Sequence, residues 1–151
     1  MQTSKYLLAT ERDAEWGLTI STVGREEIAP GEEYPTKGHA DGYYFDIQKG
    51  RTLDEYQLLY QPKGEGVFHS AHLPEIKAGD IFLLFPGEWH TYHPSGTKGW
   101  KSYWIGFKGK NIDDRVKAGF LSPEKPIYHV GYSNEIISLY EEAYKTAQEE
   151  A

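Results

Sequence analysis

The chain predicts a mainly β domain, a sandwich or barrel, with helices after it. Three observations support this. Short apolar runs broken by turn residues recur as far as Phe107, a punctuation that fits sandwiches and barrels better than alternating strand–helix units. An aromatic content of 15%, with 16 Gly and 8 Pro, suits short strands joined by tight turns. Beyond Gly109 the spacing of apolar residues lengthens from a period of two to that of a helix. With 151 residues there is room for one ordinary domain and too little for two.

Taken in order, residues 1–15 are polar and charged apart from Tyr6, Leu7, Leu8 and Ala9, and form an N-terminal arm. Residues 16–28 alternate well enough for a first strand or hairpin. The loop over residues 29–38 runs to about ten residues, longer than most hairpin connections and long enough to act as an arm or lid. Residues 43–47 place Tyr43, Phe45 and Ile47 on one face and Tyr44 and Asp46 on the other, the period of a strand. Lys49, Gly50 and Arg51 make a turn. Residues 56–60 form another strand, with Tyr56, Leu58 and Tyr60 on one face and Gln57 and Leu59 on the other. Residues 62–66 turn, Val67 and Phe68 resume a strand, and residues 69–74 turn again.

Residues 79–92, GDIFLLFPGEWHTY, are the stretch around which the rest is organised. A Gly-Asp turn opens five uninterrupted apolar residues, which read as a strand buried on both faces. Pro86 and Gly87 then break it, because proline donates no ladder hydrogen bond and glycine permits a sharp corner. Past that corner His90 and Tyr92 share one side. Residues 94–99 lead to the last strand, 100–107. There Trp100, Ser102, Trp104 and Gly106 share one face, and Lys101, Tyr103, Ile105 and Phe107 the other.

Asn111 is placed to cap a first helix, with Asp113 and Asp114 in its first turn and Gly119 at its end. Ser133 caps a second, in which Ile136, Ile137, Tyr140, Ala143, Tyr144 and Ala147 recur at helical spacing. Its outer face is Glu141, Glu142, Lys145 and Gln148. This helix closes on Gln-Glu-Glu-Ala, with acids where the macrodipole favours cations and no glycine or proline stop, so it reads as cut rather than finished.

Composition narrows the functions open to such a chain. The net charge is −7, with 16 Lys and Arg scattered along the sequence, which argues against direct nucleic-acid binding. With no cysteine, disulfides, thiolate metal sites and cysteine nucleophiles are excluded. No apolar run approaches the ~20 residues of a bilayer span, and the N-terminus lacks a signal-peptide core. The expectation is a cytoplasmic chain with no membrane contact.

Six histidines raise the question of a metal. The close pairs His69/His72 and His90/His93 are three residues apart, a spacing that on a strand points the rings to opposite faces, so no metal site is expected. No serine lies in a nucleophile-elbow context, and Asp46 and Glu88 are single carboxylates that fit surface or turn roles. The chain is instead well supplied for binding a small polar molecule. Trp89, Tyr92, Trp100 and Trp104 flank the corner and the last strand, with His90, Ser102 and Arg51 as polar groups. Two indoles and a hydroxyl on one face suit a sugar, whose C–H faces stack on aromatics while its hydroxyls pair with polar neighbours. The competing role for each tryptophan is core packing.

The Gly-Asp opening, the apolar run, the Pro-Gly corner and the histidine three residues past the glycine resemble the second motif of the cupin barrels. The same stretch, with EYQLLYQ and GEGVF before it and WKSYWIGF after it, resembles in order and spacing the N-terminal sensor domain of AraC-family transcription regulators. The likeness covers roughly residues 16–145. It implies a cupin-like barrel (a double-stranded β-helix, or jelly roll) over residues 16–109, with a helical appendage over 110–151. It also implies a sugar held inside the barrel, with Arg51 and Tyr92 as polar contacts, Trp104 as the stacking indole and His90 at the corner. Ser102 stands where the family's sensor has a histidine. The arm over residues 1–15 would then cover the ligand. The first cupin motif has no histidine here, a departure from the metal-binding members.

Together these readings give the effector-binding and dimerising domain of an AraC-type regulator. It would bind a small-molecule effector, a saccharide, with Arg51, Tyr92, Trp104, Ser102, His90, Trp89 and Trp100, and use no cofactor. It would act as a homodimer and meet DNA only through a helix-turn-helix domain absent from this chain. The alternatives are a stand-alone cupin enzyme, either a sugar isomerase or a metal-dependent oxygenase, and a carbohydrate-binding module.

Overall fold

Alternation along the strands divides the side chains into an inward and an outward set, and the fold follows that division. The computed structural model describes residues 2–31, 49–70, 75–96 and 98–149. In chain order the elements are β1 (Gln2–Tyr6), α1 (Glu11–Ala14), β2 (Thr19–Ile28), β3 (Tyr56–Gly64), β4 (Gly66–His69) and β5 (Glu75–Ile76). They continue with β6 (Asp80–Leu84), β7 (Thr91–Pro94), β8 (Trp100–Lys108), α2 (Lys110–Lys117), β9 (Ile127–His129) and α3 (Asn134–Gln148). A six-stranded antiparallel sheet in the order β1-β2-β8-β3-β6-β9 faces a three-stranded sheet in the order β5-β4-β7.

The two sheets close over a shared core. Ile28, Leu59, Phe82, Leu84, Trp100 and Trp104 come from the large sheet, and Phe68, Ile76 and Tyr92 from the small one. The opposite face of the large sheet carries the helices. Ile112 of α2 packs with Tyr56, Leu83 and Phe85, while Tyr140, Tyr144 and Ala147 of α3 pack on Val23, Tyr60 and Tyr103. The parity expected of residues 100–107 is observed: Trp100 and Trp104 lie in the inter-sheet core, Tyr103 and Ile105 under α3. The apolar stripe of α3 thus covers its own sheet, leaving Leu139 exposed.

Tyrosine hydroxyls fasten the helical layer. Tyr60, fully buried, donates to the Gly131 carbonyl at 2.6 Å and accepts from the Ser133 N–H at 2.9 Å. Tyr140 donates to the Leu58 carbonyl, and Tyr56 to Asp113. Arg25 pairs with Glu141 and sits over the Tyr144 ring, joining β2 to α3.

Several sequence expectations are refined. Ser133 caps α3 as expected, its Oγ accepting from the Ile136 N–H. Asn111 does not cap α2. Gly109 holds that position, and the Asn111 N–H is taken by the Gly17 carbonyl instead. Gly119 follows the end of α2 with φ +87°, a left-handed conformation that stops a helix. The strand ending at Phe107 is not the last, since β9 adds to the edge of β6 with Asp80 opposite His129. β3 does not end at Tyr60. It runs through Pro62, which falls where the register with β8 shifts, a bulge position at which a missing N–H is tolerated. Residues 2–6 of the expected arm pair with β2 as an edge strand, and Thr10 caps the short α1 with a reciprocal Thr10–Asp13 pair. The strand expected over 43–47 and most of the loop before it lie outside the described residues.

Candidate functional site

The Pro86-Gly87 corner does what its residues dictate, turning the chain from β6 in the large sheet to β7 in the small one. The chain after it is fixed to the segment leading into β3, with reciprocal backbone hydrogen bonds between Arg51 and His90 of 2.9 and 3.0 Å. This brings three of the expected site residues together. Arg51 donates from Nε to His90 Nε2 at 3.0 Å and from Nη2 to Tyr92 Oη at 3.0 Å. The His90 and Tyr92 rings are stacked, with centroids 6.0 Å apart and planes at 22°. Tyr92 in turn faces Trp100 at 6.0 Å.

Accepting at Nε2 puts the His90 proton on Nδ1, which donates to the Glu88 carbonyl at 3.3 Å. Burial pushes the imidazole pKa down to about 3, the Arg51 guanidinium pushes it the same way, and the Glu88 carbonyl opposes both. His90 is therefore a neutral hydrogen-bond partner that orients Arg51. The unfolded chain gains a proton here as pH falls through 6.5, whereas the folded chain resists until about 3, so stability falls across that window. By pH 5 this should amount to about 2 kcal/mol. Urea melts at pH 7 and pH 5 should show a larger drop for the wild type than for His90→Asn. Equal drops would mean that the imidazole titrates normally.

Strand register arranges the rest of the interior in rungs. Trp104 lies opposite Gly24 on β2 and Leu59 on β3, and its indole extends over Gly24, where no side chain could fit. Ser102 lies opposite Glu26, and both are buried. Trp100 lies opposite Ile28. Trp89 is set apart from these. It is 42% exposed, donates its indole N–H to the Lys49 carbonyl at 2.8 Å and covers Gly50 on the outside of the corner.

Some interior polar residues were not singled out by sequence. Glu26, Glu55, Gln57 and Thr22 are all buried. Parity alone separates Gln57 and Leu59 from Tyr56 and Tyr60, but only pairing with β8 decides which set faces inward. As for the histidine pairs, His90 is buried and His93 half-buried, with its Nδ1 3.1 Å from the Pro94 carbonyl oxygen. His72 lies outside the described residues. Among the described residues no group of three His, Asp or Glu side chains is placed to hold a metal ion.

Two facing sheets closed over an aromatic and polar interior, with helices packed outside, define a cupin-like barrel. Residues 30–150 match the family model described as the AraC-like ligand binding domain, and the chain belongs to that family. It is 32% identical over 100 residues to the raffinose operon transcriptional regulatory protein RafR of Pediococcus pentosaceus, covering 64% of this chain and 36% of that protein. It is 43% identical over 51 residues to the lactose operon transcription activator of Staphylococcus xylosus, covering 33% and 18%. The chain thus matches about a third or less of these relatives' length. Among solved structures it is similar to the Schizosaccharomyces pombe Cnp3 cupin domain, with a TM-score of 0.46, 12% identity and coverage of 78% and 71%.

Proposed function

We propose that this domain senses a saccharide inside the barrel and thereby controls DNA contacts made by another domain of a homodimeric, cytoplasmic transcription regulator. The observation that carries the reading is the pairing of the Arg51–His90–Tyr92 group with the Trp104 indole in one interior. A guanidinium whose orientation is fixed by two side chains offers directional donors, and an indole offers an apolar face, the two surfaces that a sugar presents. The names of the raffinose and lactose regulators favour a saccharide as the effector. The net charge of −7 favours DNA contacts lying in another domain. Among the described residues no helix is long and apolar enough to cross a membrane. Switching requires that the sugar bind two states of the regulator with different affinity.

Thermal melting of the chain against raffinose, lactose, galactose and glucose, with and without EDTA, tests this. At ~100 times its dissociation constant a ligand should stabilise the fold by about 2.7 kcal/mol. A saturable shift with one sugar, indifferent to EDTA and lost in Arg51→Ala and Trp104→Ala, is expected. No shift with any sugar, together with a lower melting temperature in EDTA, would overturn the reading in favour of a metal-dependent cupin enzyme.

A further inference from the structure

One rung beyond Trp104 the interior has a second polar end that no comparison assigns. A bulge in β2 sets Ser21 and Thr22 against a single residue of β8, Gly106. Gln57 of β3 lies opposite the same glycine. Glu55, 3% exposed, lays a carboxylate oxygen over Gly106 in the space that any Cβ there would fill. Ser21 Oγ and Thr22 Cγ2 lie 3.0 and 2.6 Å from the same point. The Gln57 amide nitrogen is 3.4 Å from that carboxylate oxygen. The fold therefore keeps residue 106 without a side chain and fills its place with the carboxyl group of Glu55.

The hydroxyls of Ser21 and Thr22 are buried with no hydrogen-bond partner, and Thr22 is fully inaccessible to solvent. Folded proteins pair nearly all such atoms, so two orphan hydroxyls on the residue pair that packs against Gly106, Ser21 through its Oγ and Thr22 through its methyl, mark a place prepared for polar groups from outside. A carboxylate only accepts, whereas a hydroxyl donates and accepts. The set thus matches a molecule that offers hydroxyls and repels one that offers another carboxylate. By register, Thr22, Gly106 and Gln57 are each two residues from Gly24, Trp104 and Leu59, so this end adjoins the indole along the same inward face.

We propose that Thr22, Glu55 and Gln57 form a hydroxyl-recognising subsite at the opposite side of Trp104 from Ser102, and that Glu55 makes the barrel interior select a neutral sugar over its acidic analogue. The proposal rests on the saccharide reading given above. Isothermal titration of the full chain, as wild type, Glu55→Gln and Thr22→Val, with raffinose, lactose, galactose and galacturonate tests it. The wild type should bind at least one neutral sugar and discriminate against galacturonate. Both variants should lose about 10- to 100-fold in affinity for that sugar, the range for hydrogen bonds to buried polar and charged groups. Glu55→Gln should also narrow the gap to galacturonate. Melting of the unliganded variants separates a lost contact from a lost fold, and if Glu55→Gln fails to fold, Thr22→Val decides. Binding of the neutral sugar within about twofold of wild type in the folded variants would overturn the subsite and leave the saccharide reading standing. Failure of the wild type to bind any of these sugars would overturn both.

Discussion

Phe82→Ala should destabilise the domain by about 3–5 kcal/mol, the usual cost of emptying a fully buried phenylalanine site. Phe82 is inaccessible to solvent and belongs to β6, the strand between β3 and β9. Its ring meets Phe68 of the small sheet at 5.5 Å and Tyr92 at 5.6 Å, so it bridges the two sheets at the centre of the barrel. Domains of this kind are stable by only ~5–15 kcal/mol, so the loss is a large share of the total. In a chain of this length the melting temperature should fall by about 6–20 °C. Thermal and urea melts would check it, with exposed Leu139 as the comparison, where alanine should cost no more than about 0.5 kcal/mol. Equal, small effects at both positions would show that the sheets do not share a core at Phe82.

The second large effect is expected from adding one methyl group. Gly24→Ala would place a Cβ inside the van der Waals envelope of the Trp104 indole, with the Cβ of Ser4 2.9 Å away on the neighbouring strand. Either the indole tilts or β2 shifts, and overpacking of this kind costs about 1–3 kcal/mol. The loss should be accompanied by a change in tryptophan emission and, under the proposed saccharide function, by loss of sugar-dependent stabilisation, because the indole face moves. An alanine variant with unchanged emission, stability and sugar response would show that the indole does not lie over Gly24. Glycine is required here for space rather than for an unusual backbone angle, since its φ is not positive.

The β fold and its helical layer were legible because alternation survives in the sequence wherever a strand separates two chemically different layers. Residues 100–107 are the clearest case, with tryptophans on the inward face and tyrosine, isoleucine and phenylalanine beneath the helices. β9 left no such trace. It is three residues long, and Tyr128 and His129 are exposed. β1 reads as polar because Gln2, Thr3, Ser4 and Lys5 are polar, and with all five residues half-buried its two faces show no contrast. Within the site, the proximity of Arg51 to His90 and Tyr92 followed from the corner and from the family resemblance. Ser21, Thr22, Glu55 and Gln57 could not be assembled in that way. Their meeting depends on a one-residue bulge and on a glycine whose empty side is used by Glu55, just before β3, and neither leaves a pattern along the chain.

Strand β2 is one residue thick, and its two sides address different parts of the molecule. Thr22, Gly24, Glu26 and Ile28 face the barrel interior, while Val23 contacts α3 and Arg25 holds Glu141 and Tyr144. Beyond the bulge, over residues 22–28, genetic variation should therefore segregate by the parity of its position. Substitutions at even numbers there would act on the barrel interior and those at odd numbers on the contact with α3, so selection could tune the two layers separately within one strand.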